Sequence, residues 1–170
     1  MNTDSTETSV TPEGAPHPGA ERRLVELGLE LPASPKPLGT YVEAVQTGNL
    51  LFLSGMLPIQ GGRPAMVGHV GAELDVERGR TAARLAALNA LAVVRTHLGS
   101  LDRVTRVVRV AVSIATSGNA RDHPKVADGA SDLLQDIFGS EKNSCRSVYG
   151  VASLPMGAPL VLDIIFEVRA

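Results

Sequence analysis

Arg146 stands on a run of residues that is otherwise suited to burial. The stretch Ser144 to Val168, SCRSVYGVASLPMGAPLVLDIIFEV, reads as two strands, about Arg146 to Ala152 and Leu160 to Val168. Leu154-Pro155, Gly157 and Pro159 fall between them, because Pro and Gly serve an interior ladder poorly. Strand side chains alternate faces, so Arg146, Val148, Gly150 and Ala152 share one side. On the second strand Val161, Asp163, Ile165 and Glu167 share a side, with Leu160, Leu162, Ile164, Phe166 and Val168 opposite. A guanidinium on an apolar strand must reach water at the strand end or meet an anion. Its planar fork can grip a carboxylate through two parallel charge-assisted hydrogen bonds, which Lys cannot do. The competing use is a surface or intersubunit ion pair.

Other reactive residue types are less well placed. Cys145 precedes Arg146 by one, so alternation turns it to the opposite face, and no His with an orienting acid can be assigned beside it. His17, His69, His97 and His123 are scattered without ligand spacing, so no metal site is expected. Gly61-Gly62 is followed by Arg63-Pro64 rather than a helix, which rules against a phosphate loop. No cofactor is expected.

Composition narrows the class. The 170 residues are 44% hydrophobic, enough for one domain with a real core. Net charge is -2 and no block of like charge marks a nucleic-acid or membrane footprint. With two Tyr, three Phe and no Trp, a base-stacking surface would be poorly equipped. No apolar run reaches the roughly 18 residues needed to span a bilayer. The first residues, MNTDSTETSV, lack the pattern of a signal peptide. The single cysteine fits a reduced setting, so a cytoplasmic protein is expected.

The elements that must position Arg146 follow from periodicity. Residues 1–18 read as a disordered tail, and 19–35 as a short helix (Ala20 to Leu27, ended by Gly28) with a Pro-rich linker. Val42 to Thr47 and Leu50 to Ser54 are strands joined by a Gly48-Asn49 turn. The run Leu50 to Leu53 suits a strand covered on both faces. Residues 58–70 read as loop with one short strand. Asp75 caps a helix running to Leu98, with Leu85, Leu88, Leu91, Ala92 and Leu98 as its buried stripe and five alanines permitting close approach to a sheet. Val104 to Ile114 is a β-branched strand, and Asp122-His123-Pro124 opens a helix ended by Gly139. Gly129 inside that helix implies close packing against the sheet. This order predicts an α+β fold, a sheet with both long helices on one face.

Several of these stretches together resemble the RidA/YjgF family, also called endoribonuclease L-PSP-like. They are Arg146-Ser147 with Val151-Ala152-Ser153-Leu154-Pro155, the ending Phe166-Glu167-Val168, Gly39-Thr40-Tyr41-Val42, and the hairpin Thr47 to Ser54-Gly55. Order and spacing agree over about residues 36–169, so the RidA-like domain is placed at 36–170. The likeness is to a subgroup with an extra N-terminal helix and no settled activity. The resemblance implies a chorismate-mutase-like mixed sheet and a homotrimer with clefts between subunits. It also implies that Arg146 clamps a substrate carboxylate, as in imine/enamine deaminases. Tyr41 falls on the tyrosine that covers the substrate, Ser54 and Gly55 on the Ser-Gly beside it, and Ser131 near a helix Asn. Val148 replaces a Cys whose backbone carbonyl helps hold water, and Met56 a common Gln.

The resemblance places Val161 where the water-activating Glu belongs, and valine cannot accept a proton. General acid–base help is worth about 10²–10⁴-fold, so the substitution bears directly on activity. Asp163 lies on the same face about 6.5 Å further along, and either acts in its place or pairs with a Lys or Arg. Two readings result: a hydrolase of reactive imines or enamines derived from amino acids, and a non-catalytic trimer that binds a small carboxylate in the same cleft. Ribonuclease activity ranks third, because neither charge nor aromatic content supports it.

Overall fold

The computed structural model describes residues 18–169, so the expected tail, apart from Pro18, and His17 lie outside the described residues. The elements in chain order are α1 (Ala20–Glu26), β1 (Ala44–Thr47), β2 (Leu50–Leu53), β3 (Ile59–Gln60), β4 (Arg63–Pro64), α2 (Val76–Leu98), β5 (Val104–Ala115), α3 (His123–Phe138), β6 (Cys145–Val151) and β7 (Leu160–Val168). Five strands form one sheet in the order β1-β2-β7-β5-β6. All neighbours are antiparallel except β5 and β6, which α3 connects as a parallel pair. This is a mixed α+β sheet, as expected. Strands β3 and β4 form a separate two-residue hairpin across Gly61-Gly62, both at positive φ, where the sequence suggested one short strand.

The two long helices cover one face. Leu51, Val110, Val112, Ile114, Leu160, Leu162, Ile164 and Phe166 are buried beneath them. The opposite face is open in this chain: Val45, Phe52 and Tyr149 are 54%, 38% and 55% exposed. The expectation that β2 is covered on both sides is therefore not met within one chain. Its apolar character on the open side needs a partner outside the chain or remains unsatisfied.

Helix α2 corrects a detail. Its Asp75 cap accepts from Arg78 N at 2.8 Å, and Gly99 ends it in the left-handed region. Its most buried face, however, is made by Ala82, Ala83, Ala86, Ala87, Ala90 and Leu91, while Leu85 and Leu88 are only half-buried. Small side chains win here because α3 crosses at close range. A Cβ on Gly129 would lie 2.1 Å from the carbonyl oxygen of Arg80, so this glycine is required by α2 rather than by the sheet.

Helix α1 is fastened to the helical layer. Ala20 and Leu24 are buried, Asp102 Oδ1 accepts from Glu21 N, and Arg23 Nε donates to the carbonyl of Asp136. The Glu21 carboxylate takes both ends of the Arg95 guanidinium and also accepts from Leu101 N at 2.9 Å. The Arg95 hydrogen bond holds the Glu21 carboxyl below the ordinary value of 4.5. No helix among the described residues is long and apolar enough to cross a membrane.

Two outcomes test this packing. Gly129→Ala should lower stability by about 3 kcal/mol, although helix propensity alone would favour Ala by about 1 kcal/mol. Urea unfolding followed by circular dichroism checks the sign. For Glu21 the folded carboxyl is the stronger acid, so its contribution is complete above the unfolded value and disappears as pH falls through the lowered one. Between about pH 5 and pH 3 the Glu21→Gln protein should therefore lose less stability than the wild type, measured as the shift in urea midpoint.

Candidate functional site

The chemistry-bearing residues fall into two groups on opposite sides of the sheet. In the first, Arg146 on β6 is in register with Val110 and, through it, with Ile164. Both neighbours belong to the buried, helix-covered face, so Arg146 reaches toward α3 at the sheet edge. Its Nη1 donates to Asp128 Oδ1 at 2.7 Å and to Ser131 Oγ at 3.1 Å. Asp128 and Ser131 are one helical turn apart, which brings both against the guanidinium. Nε and Nη2 donate to no group among the described residues. One side of the fork is therefore held while the other, the side suited to a two-bond grip on a carboxylate, is free. Val148 lies on the same face against the core. Arg146 and Ser131 border a hollow of about 170 Å³ with Val107, Leu134 and Gln135.

The second group gathers where β2 ends. Ser54 and Gly55 meet Tyr41, which stands in the loop before β1 and is 49% exposed. The Tyr41 hydroxyl accepts from Leu38 N at 3.0 Å, and Ser54 Oγ donates to the Val42 carbonyl at 2.6 Å. The Gly55 N–H has no partner among the described residues, since the chain resumes pairing only at Met56 with Leu162. A Cβ on Gly55 would sit 2.9 Å from Val161 Cγ2 and 3.9 Å from Asp163 Oδ1. Glycine is thus imposed by the β7 side chains. Asp163 is exposed on the open face and forms no ion pair among the described residues, contrary to the expectation of a Lys or Arg partner. These residues adjoin a cavity of about 430 Å³ that also takes in the linker Pro32 to Leu38, the Met56 to Gly62 segment and Asn89.

Within one chain the two groups do not meet. The two hollows share no lining residue. Three strand spacings, roughly 14 Å, separate the end of β2 from β6, and the register puts Asp163 with Ala111 and Ser147 on the open face, opposite Arg146. Cys145 also faces that open side, as alternation requires, and its Sγ donates to the Val108 carbonyl at 3.3 Å. No cluster of His, Cys, Asp or Glu suited to a metal occurs among the described residues.

Sequence reasoning missed three components. Asp128 lies one turn before Ser131 on the same helix face, a spacing that could have been noticed. Asn89 is the one amide among the alanines and leucines of the stretch Ala82 to Leu91, and it is 1% exposed. The linker, read only as extended, forms a cavity wall, which no local pattern foretells.

Comparison with known proteins decides the family. Residues 21–168 match the family described as "YjgF/chorismate_mutase-like, putative endoribonuclease". The chain belongs to this family. Protein TCP17 of Trypanosoma cruzi is 40% identical over 147 residues, which cover 86% of this chain and 92% of that one. A 2-iminobutanoate/2-iminopropanoate deaminase of Dermatophagoides farinae is 31% identical over 142 residues, covering 83% and 95%. Among solved structures, a Shewanella oneidensis protein with the same endoribonuclease designation is 34% identical. It covers 89% of this chain and 100% of its own, with a TM-score of 0.85. The RidA/YjgF resemblance and the α+β chorismate-mutase-like fold are thereby established for this chain.

The Gly55 contact gives a testable coupling. Gly55→Ala should cost about 1–3 kcal/mol, and Val161→Ala in the same chain should recover most of it. Urea titrations of the two single variants and the double variant measure the interaction.

Proposed function

We propose that this RidA/YjgF protein assembles as a trimer in which Arg146 of one protomer faces the Tyr41, Ser54 and Gly55 group of another, and that the joint cleft binds a small carboxylate metabolite. The single observation that carries the reading is the separation of the two groups within one chain, each lacking what the other holds. Arg146 offers two unused donors beside a hollow of only about 170 Å³. The other group offers enclosure and a free backbone N–H, and the cation on its lining, Lys36, has no planar fork for a two-bond grip. The exposed apolar residues Val45, Phe52 and Tyr149 supply the face through which copies would pack.

In this arrangement Nε and Nη2 of Arg146 grip the carboxylate, with Asp128 and Ser131 fixing the guanidinium plane and Val148 presenting its backbone carbonyl to water. Tyr41 covers the ligand, and the Gly55 N–H meets its polar end. The deaminase relative favours an imino acid as the bound species, with water adding to the imine carbon and ammonia leaving to give the oxo acid. Val161 supplies no base for that water. Asp163, with its Oδ1 near Gly55, is the carboxylate we place beside the water, and Glu43 on the cavity lining is a second one in this group. A slow hydrolase is the favoured reading. The alternative, a carboxylate-binding protein without turnover, draws on the same Val161. A ribonuclease role gains nothing from the charge or aromatic content. Residues 19–35 act as an appended helix and wall, with 36–170 as the binding domain.

The test generates 2-aminoacrylate or a longer imino acid in situ and follows release of the oxo acid. Wild type should be weak on 2-aminoacrylate, Arg146→Ala should fall to the buffer rate, and Val161→Glu should gain about 10²-fold or more. Native mass spectrometry should give three chains per particle. A monomer, or an Arg146→Ala rate equal to wild type, would sink the composite cleft. Buffer-rate release with every imino acid, joined to Arg146-dependent binding, would select the non-catalytic alternative.

A further inference from the structure

The cavity behind Tyr41 is larger than the proposed chemistry requires. A three- or four-carbon imino acid gripped by Arg146 and covered by Tyr41 would leave most of its approximately 430 Å³ empty. That volume lies in the range of about 300–1,000 Å³ typical of clefts that bury a sizeable ligand. Its walls beyond Gly55 include Pro32, Pro35, Pro37, Met56, Leu57 and Ile59, which suit an apolar body, while Lys36, Glu43 and Gln60 also line the cavity.

Of the polar residues on this lining, one is buried. Asn89 projects from α2, is 1% exposed and is the sole buried polar residue among those described. Its Nδ2 donates to the carbonyls of Leu57 and Ile59, both at 3.0 Å, so its two amide hydrogens are used in holding the Met56 to Gln60 segment. Its Oδ1 accepts from nothing among the described residues, yet no buried side-chain oxygen there is sealed without a partner. Since Asn89 borders the cavity, that acceptor opens into it. The amide orientation is fixed by its two donor bonds, because a flipped group would set Oδ1 against two carbonyl oxygens. An acceptor so placed can take a hydrogen bond from water or from a ligand donor.

The wall is also held in place. The linker follows α1, which Glu21, Arg95 and Arg23 fasten to the helical layer, and the Tyr41 hydroxyl accepts from Leu38 N at its other end. Prolines at 32, 35 and 37 restrict the chain between these anchors. The cavity is therefore pre-formed rather than closed on demand.

We infer that the preferred ligand is a 2-imino or 2-oxo acid whose side chain is a bulky apolar body ending in an N–H or O–H donor, with the body in the linker-walled cavity and the donor on Asn89 Oδ1. This inference rests on the carboxylate reading above, which fixes the other end of the molecule. It assigns the specificity of the site to the linker and to Asn89.

Titration calorimetry on the full chain, with stable oxo acids as probes, tests it. Phenylpyruvate should bind at least tenfold more tightly than pyruvate. At least one of 4-hydroxyphenylpyruvate and indole-3-pyruvate, which carry a donor at the far end, should gain a further two- to tenfold, about the effect of one hydrogen bond. The comparison is made on wild-type protein and needs no variant to fold. Ser34→Trp, which fills the cavity from the linker, should remove the preference for the aromatic acids over pyruvate, with an unchanged melting curve showing that the fold is intact. Equal affinity for pyruvate and the aromatic acids overturns the inference, and if Arg146→Ala then abolishes binding the carboxylate reading survives alone. No gain from either donor overturns the role of Asn89. A preference that persists in Arg146→Ala leaves the cavity standing and removes the carboxylate grip. Failure of every oxo acid to bind overturns both.

Discussion

The alternation of side chains across β5, β6 and β7 governs most of what this protein can do. Because Arg146 pairs with Val110 and Asp163 with Ala111, the two charged residues nearest the proposed chemistry leave the sheet on opposite sides. No rotamer change can bring them to one ligand in one chain, since a shift of register by one residue would expose the whole buried face of β7. The same constraint leaves an apolar sheet face uncovered by helices. Separation of the reactive groups and the open face are thus two results of one register.

The helical layer that covers the other face is built from small residues. Alanines on α2 and Gly129 on α3 let two helices cross at backbone contact. This tight layer leaves room at its margin for α1, whose ion pair with Arg95 sets where the linker begins. The position of a cavity wall therefore depends on an ion pair between α1 and α2 that is not itself part of the cavity. Stability and specificity are coupled here through chain connectivity rather than through direct contact.

Much of this was legible in the sequence, and the failures have physical causes. The β7 run, the Gly48-Asn49 turn and the Asp75 and Gly99 helix ends are local patterns, and they gave the elements within a residue or two. Gly129 was legible as a point of close approach, but not as an approach to α2, because periodicity names a face and not its neighbour. The leucines of α2 were overrated for the same reason: hydrophobicity predicted burial, whereas the crossing distance selected alanine. Of the site, Arg146 and the Ser54-Gly55 turn stood out. Asp128 and the linker wall did not, since each acquires meaning only from residues distant in the chain. Asn89 was discoverable as a polar residue in an apolar stretch, although a buried amide that merely satisfies backbone carbonyls would have looked identical.

The substitutions around the cleft point in one direction. The family resemblance implies Glu and Gln where Val161 and Met56 stand, so on the proposed reading two polar groups are apolar beside Gly55. In a small polar cleft such changes would only remove function. Here Met56 lines a cavity that prolines and aliphatic side chains partly wall, and Val161 packs against Gly55 at its edge. Removing a carboxylate from beside a bound anion also removes a like-charge repulsion, which strengthens ground-state binding while withdrawing help from the attacking water. On the proposed reading, a site altered in this way exchanges turnover for affinity and for a larger ligand. The Asp128 and Ser131 hold on Arg146 fits that exchange, because orientation of the grip matters to binding even where the chemical step is slow.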